Sequence, residues 1–371
     1  MRYFLGHHHT HNPRSDQGVR DRQLPQESEM DLNDQSTVFD GADNNNPDFD
    51  RITISTTTSE SETIGDLRRQ GFVNRCPRFN AIRTMPLTSI VLSKGFFCFP
   101  SEASFMKYLD NKRKFNELET TSGLGIPLYH ALPLGVVKTL FSRNAPDIKI
   151  YKYVLINTEK EKPPIDGTFI SQNGSFVLYK YLFCAVYQNI LDDYSRIETR
   201  MEFYKQHETD PSIEAVRMAN YVQRRNTDAK LNGLNLRWYG TTGFASPFGS
   251  GNLKLFVLDD KMPSFVDQQT RKEYDEYSAK YNGRRLGQMP IWALYSDSSS
   301  TVIPKRRTLR LATLEIGELK NNDAAFSEGI LDIPWETEAV ACMCMVLHEY
   351  ESRKDKRTGK FGAPPAIGMQ F

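Results

Sequence analysis

The sequence predicts a mainly β protein with a buried C-terminal helix: a closed antiparallel β-barrel threaded by that helix. Two observations carry this. From about residue 75 onward short β-prone runs follow one another, separated by turn signals. The last element then breaks the pattern, because "WETEAVACMCMVLHEYESRKDKR" (335–357) holds an unbroken apolar run from Ala339 to Leu347. A helix on a protein surface shows an apolar stripe at three- and four-residue spacing, and this run leaves no polar face. Its middle must be surrounded, while Glu336 and Glu338 at its start and Arg353, Lys354, Lys356 and Arg357 at its end match the helix dipole and mark wet ends. A barrel walls a helix on every side and leaves its ends at the openings.

Residues 1–74 read as a disordered polar tail. Stretches such as "DGADNNNPDFD" and "TISTTTSESET" cannot bury enough apolar surface to offset the entropy of ordering the chain. The barrel is expected over 75–358, followed by a tail at 359–371. Ile90, Val91, Leu92, Phe96, Phe97 and Phe99 announce its first strands. "DIKIYKYVLIN" (147–157), "NLKLFVLDD" (252–260) and "PIWALYS" (290–296) have the same character, and "TLRLATLEIGEL" (308–319) alternates with the period of a half-buried strand. "GTFISQNGSFVLYKYLFCAVYQ" (167–188) reads as a hairpin, since Asn-Gly supplies the positive φ of a tight turn. Residues 192–206 match both periods, and a strand is expected because the preceding strand offers an edge. A surface helix is expected at 211–225, with Asp210 as cap, Pro211 in the first turn and Ala215, Met218, Ala219 and Val222 on one face. The competing architecture is a PH-like domain plus a second β module, but the terminal helix of such a domain covers an open end and needs a polar face.

The order of these elements, ending in "GILDIPWETEAVACMCMVLHEY", and the "NLRWYGTTGFASPFGSGNLKLFVLDD" stretch (235–260) resemble the tubby C-terminal-like superfamily, which includes LURP-one-related and phospholipid-scramblase proteins. In that group about twelve strands wrap a hydrophobic C-terminal helix. The resemblance implies phosphoinositide binding by a basic surface.

Bulk charge implies no nucleic-acid partner, because the formal net charge is +1. Four of the seven histidines lie in the "GHHHTH" tract, read as solvated tail. The five cysteines show no zinc-ligand spacing and no disulfide framework, so no cofactor or metal is expected. No stretch has the length of a spanning helix, which points to a cytoplasmic or nuclear protein, or one peripherally associated with membrane. "RWYGTTGFASPFGSGN" (237–252) lacks the Gly-Lys-Ser/Thr and following helix of a phosphate loop and reads as a connection between strands. His130 and His348 read as core or boundary histidines, and Cys342 and Cys344 as small core residues.

Lys305, Arg306 and Arg307 in "PKRRTLR", joined by Arg284 and Arg285 in "NGRRLG", are the candidate lipid-phosphate ligands, since a guanidinium donates to phosphate in a planar fork. The expected function is a non-enzymatic intracellular binding module for phosphoinositide or other anionic lipid headgroups. The alternative is a protein-interaction scaffold with a phosphoregulated N-terminal tail. A third reading, an enzyme with its site scattered over loops, has no motif behind it.

Overall fold

The computed structural model describes residues 79–357, apart from 91, 112–114, 116–117, 135–144, 192–195, 206–211, 222–225, 241–251, 260–261, 263, 268–271, 273–288, 298–307 and 320–326. The expectations for the N-terminal tail with its histidine tract and for the tail at 359–371 fall outside these residues.

The strands are β1 (Ala81–Ile90), β2 (Phe96–Cys98), β3 (Tyr129–Pro133), β4 (Ile148–Asn157), β5 (Thr168–Asn173), β6 (Phe176–Leu191), β7 (Arg196–Lys205), β8 (Ser212–Tyr221), β9 (Asn226–Leu231), β10 (Leu234–Tyr239), β11 (Asn252–Val257), β12 (Ile291–Asp297) and β13 (Thr308–Glu318). Helix α1 (Glu102–Asp110) follows β2, and α2 (Trp335–Arg357) is the last element. Every pairing is antiparallel, β1 pairs with β13, and β4 pairs with β6. The ring therefore closes as a barrel of twelve strands, and β5 stays outside it, paired only with β6. This closure excludes the PH-like alternative.

The expected hairpin at 167–188 is β5 and β6, with Gly174 at φ 58° in the turn. Residues 196–205 are a strand, as the free edge of β6 favours. The expected helix at 211–225 is instead strand β8 over 212–221, paired along its length with β7 from Lys205↔Ser212 to Arg196↔Tyr221. Met218 and Val216 are buried while Ala215 and Arg217 are exposed, an alternation of period two. Without β8 the far edge of β7 would have no ladder partner, so ladder formation outweighs the helix propensity of Ala, Met, Arg and Glu.

Inside the ring, α2 residues Ala339–Leu347 are between 0% and 4% exposed and share one core with residues from strands around the barrel, such as Met85, Ile150, Phe203, Trp238 and Leu314. The helix threads the barrel. It enters at what we call the proximal mouth and leaves at the distal mouth. At the proximal mouth three successive residues of its first turn reach three places on the rim. Glu336 accepts from Asn232 Nδ2 at 3.0 Å in the β9–β10 turn, Thr337 bonds Glu318 at the end of β13, and Glu338 pairs with Lys152 of β4.

Candidate functional site

With the lumen filled by α2, the positions available to a partner are the two mouths and the outer wall. At the distal mouth the Tyr295 hydroxyl and His348 Nδ1 are hydrogen-bonded at 2.7 Å, and Phe96 meets the His348 ring edge-on at 5.1 Å. His348 is thus a satisfied core histidine, as expected from the sequence. One turn on, Arg353 donates to Glu349 at 2.6 Å, and Asp147 accepts the Gln188 amide at 2.7 Å. Burial raises the Asp147 carboxyl above its ordinary range against the opposing pull of that amide and of Arg353.

Burial also pushes the thiols of Cys98, Cys184, Cys342 and Cys344 well up, so these cysteines are packing residues and not nucleophiles. Among the described residues no group of three or more His, Cys, Asp or Glu side chains has the geometry to hold a metal ion. Among them, too, no helix is long and apolar enough to cross a membrane.

All five basic candidates, Arg284, Arg285, Lys305, Arg306 and Arg307, lie outside the described residues, but the strand ends that flank them are defined. Residues 298–307 join the end of β12 to the start of β13, and Asp297 pairs with Ala312 near the distal mouth. Residues 258–290 join Val257 of β11 to Ile291 of β12, the proximal ends of these two strands, and within the connection Phe265 packs on Tyr221 of β8 and its amide donates to Asp228 of β9. The two basic runs therefore belong to connections that leave opposite ends of β12. The C-terminal turn of α2, with Arg353, Lys354, Lys356 and Arg357, emerges at the distal mouth, the end at which β12 stops and β13 starts.

The outer wall holds a group that sequence reasoning passed over. His130 on β3 stacks on Phe97 of β2, ring centroids 4.2 Å apart and planes 10° from parallel. Its Nε2 lies 2.8 Å from the Lys94 carbonyl oxygen, and its Nδ1 lies 2.7 Å from Lys180 Nζ of β6. A carbonyl only accepts, so Nε2 carries the proton and Nδ1 accepts from Lys180. Lys180 Nζ also lies 4.7 Å from the Tyr151 ring centroid and 5.8 Å from that of Tyr153. Burial lowers the His130 pKa to about 4, and the Lys180 charge adds to the fall while the Lys94 carbonyl opposes it. Burial likewise lowers Lys180. His130 was expected as a core or boundary histidine, and it is buried, but its lysine partner is 50 residues away, beyond the reach of any spacing rule.

Comparison with known proteins bears on which family has this barrel. The chain is 45% identical over 353 residues to "Uncharacterized protein YNL165W" of Saccharomyces cerevisiae, an alignment covering 89% of this chain and 86% of the relative. It is 28% identical over 297 residues to "Protein DIA1" of the same yeast, covering 78% of this chain and 84% of that one. No solved structure matches the chain. The family model described as DIA1 matches residues 80–356, which run from the first strand of the barrel to the end of the helix inside it, and the chain belongs to the DIA1 family.

Proposed function

We propose that this protein is a non-enzymatic intracellular binding module that takes phosphoinositide or other anionic lipid headgroups at the distal mouth, with Lys305, Arg306 and Arg307 as phosphate ligands. One observation carries the reading: the β12–β13 connection that contains these residues leaves the same mouth as the basic C-terminal turn of α2. Cations concentrated at one end favour phosphate, and guanidinium groups add paired donors. The filled lumen supports a surface site over an internal one. The resemblance to helix-threaded tubby-type barrels, whose known ligand is a phosphoinositide, points the same way. Arg284 and Arg285 belong to the connection that departs from the other end of β12, and the proposal is carried by the β12–β13 residues. The departure of the two basic connections from opposite ends of β12 favours a second reading, a protein-interaction scaffold.

Co-sedimentation with phosphatidylcholine vesicles, with and without phosphoinositide and at two salt concentrations, tests the proposal. Wild type is expected to bind the phosphoinositide vesicles, less at high salt. Arg306→Gln with Arg307→Gln should weaken binding and leave stability within about 0.5 kcal/mol, while Arg284→Gln with Arg285→Gln should have little effect on binding. A wild type that ignores anionic vesicles at low salt overturns the lipid reading and leaves the scaffold.

A further inference from the structure

We propose that Lys180 is a covalent acceptor for small aldehydes, with His130 as the group that receives its proton. The arrangement is a nucleophile hydrogen-bonded to a base that a third group orients, which is the geometric signature of an activated nucleophile. Lys180 Nζ stands 2.7 Å from His130 Nδ1, and the Lys94 carbonyl, 2.8 Å from Nε2, fixes the tautomer that leaves Nδ1 free to accept. The imidazole is held in place from both sides, by that carbonyl and by the stacked Phe97 ring.

Three further facts separate this amine from an ordinary surface lysine. It is half-buried, whereas Lys160 and Lys162 are exposed. Among the described residues no ion pair involves it, and burial is the cause that lowers its pKa. Lys180, His130 and the two tyrosines stand on three strands of the barrel wall, β6, β3 and β4, with Phe97 on β2, and the β1–β2 turn supplies the Lys94 carbonyl. The Tyr151 and Tyr153 rings favour the ammonium form, but burial outweighs them, and the neutral amine is more available than on an exposed lysine. An amine that gives one N–H to His130 keeps its lone pair free to attack.

The step balances without an oxidant or reductant. The neutral Lys180 nitrogen adds to the aldehyde carbon, and the first of its two protons passes to the carbonyl oxygen, which becomes a hydroxyl. The second passes to Nδ1 of His130 and on to that hydroxyl, which leaves as water and yields an imine. Lys149 lies on the same outward face of β4, two residues from Tyr151, so the surroundings are cationic and suit an aldehyde that carries an anionic group.

The test uses the full chain with glyoxylate as probe, cyanoborohydride to trap the imine, and peptide mass spectrometry to compare lysines. At pH 7 Lys180 is expected to be modified at least tenfold faster than Lys160 or Lys162. Its rate should also reach half its plateau at lower pH than theirs. His130→Gln, with folding checked by its melting curve, should cut the Lys180 rate several-fold and leave Lys160 unchanged. Should that variant fail to fold, the pH profile of the wild type decides alone. Equal rates at Lys180 and Lys160, or coincident pH profiles, overturn the proposal, and an unchanged Lys180 rate in folded His130→Gln removes the role of His130.

Discussion

Thr337, on the first turn of α2, donates its hydroxyl to Glu318 Oε1 at 2.7 Å, and the same oxygen accepts Arg83 Nε at 2.7 Å. Three elements, β1, β13 and the helix, thus meet on one buried carboxylate. Arg83 is 1% exposed and also donates to the carbonyls of Ser327 at 2.8 Å and Pro100 at 3.3 Å, which brings the segment before the helix into the same network. Taking one partner from a buried ion pair leaves an uncompensated charge and costs about 3–5 kcal/mol. Glu318→Ala is therefore expected to lose much of the protein's stability in a denaturant titration. Arg83→Met combined with Glu318→Leu should be less damaging than Glu318→Ala alone, since it removes the charge along with its partner. A Glu318→Ala protein that melts within about 2 °C of wild type would show that the network does not hold the helix.

His130 sets a pH dependence whose direction follows from its surroundings. Its pKa falls from an ordinary 6.5 to about 4 in the folded protein, because burial and Lys180 penalise the imidazolium. Between those values the unfolded chain binds a proton that the folded protein does not, so stability from this group is present above pH 6.5 and declines as pH falls toward 4. His130→Gln, which cannot take up that proton, should flatten this part of the stability curve measured by urea unfolding at several pH values. Parallel curves for variant and wild type between pH about 4 and 6.5 would rule the mechanism out.

Glu119 shows the opposite balance. Burial works to raise its pKa, yet the Leu124, Ser122 and Thr121 amides and the Ser122 hydroxyl all donate to its carboxylate and bring it down to about 2. The turn it organises leads through Gly123, at φ 70°, where a side chain would also meet Ile330 Cγ1 at 2.6 Å. Glu119→Gln should loosen this turn and speed amide exchange at Thr121, Ser122 and Leu124. Unaltered exchange at those three amides would mean that the carboxylate is not what holds them.

The helix was legible in the sequence because its evidence is local: nine apolar residues in a row admit few environments. Strand β7 was legible only through its neighbour, since Ile197 and Met201 satisfy both periods and the edge of β6 decides between them. Strand β8 was misread for the converse reason. Its Met218 fits a helical face and a strand face equally, and what selects the strand is the ten-residue ladder with β7, an interaction that no window of the sequence contains. Leu92 also departs from its expected place in an apolar strand: it stands in the β1–β2 turn at φ 73° and is 90% exposed. The His130–Lys180 pair was illegible because two isolated polar residues on apolar strands carry no pattern until β3, β4 and β6 lie side by side.

The family match begins at residue 80 and β1 at Ala81, while the polar segment before them lacks core-forming residues. Deleting residues 1–74 is expected to leave a protein that melts cooperatively. A truncated chain that is insoluble or has no thermal transition would mean that these residues belong to the fold.

The strongest test of the threaded barrel asks whether the helix has a wet side. Val340, Met343 and Leu347 fall at three- and four-residue steps along α2, while Cys344 and Met345 point elsewhere around it, and Val340, Met343, Cys344 and Met345 are all 0% exposed. On an amphipathic helix lying over a sheet, Asp would be tolerated on one face. Within a closed ring each face meets strands, and a carboxylate that stays charged there costs several kcal/mol wherever it points. Val340→Asp, Met343→Asp, Cys344→Asp and Met345→Asp are each expected to abolish soluble expression or the thermal transition, whereas Lys162→Ala, on an exposed loop, should be silent. The cost does not depend on which strands stand opposite, because the helix displaces water from the whole lumen. A single well-folded Asp variant among the four would require a wetted face on α2, and with it an opening in the ring that the β4–β6 pairing does not leave.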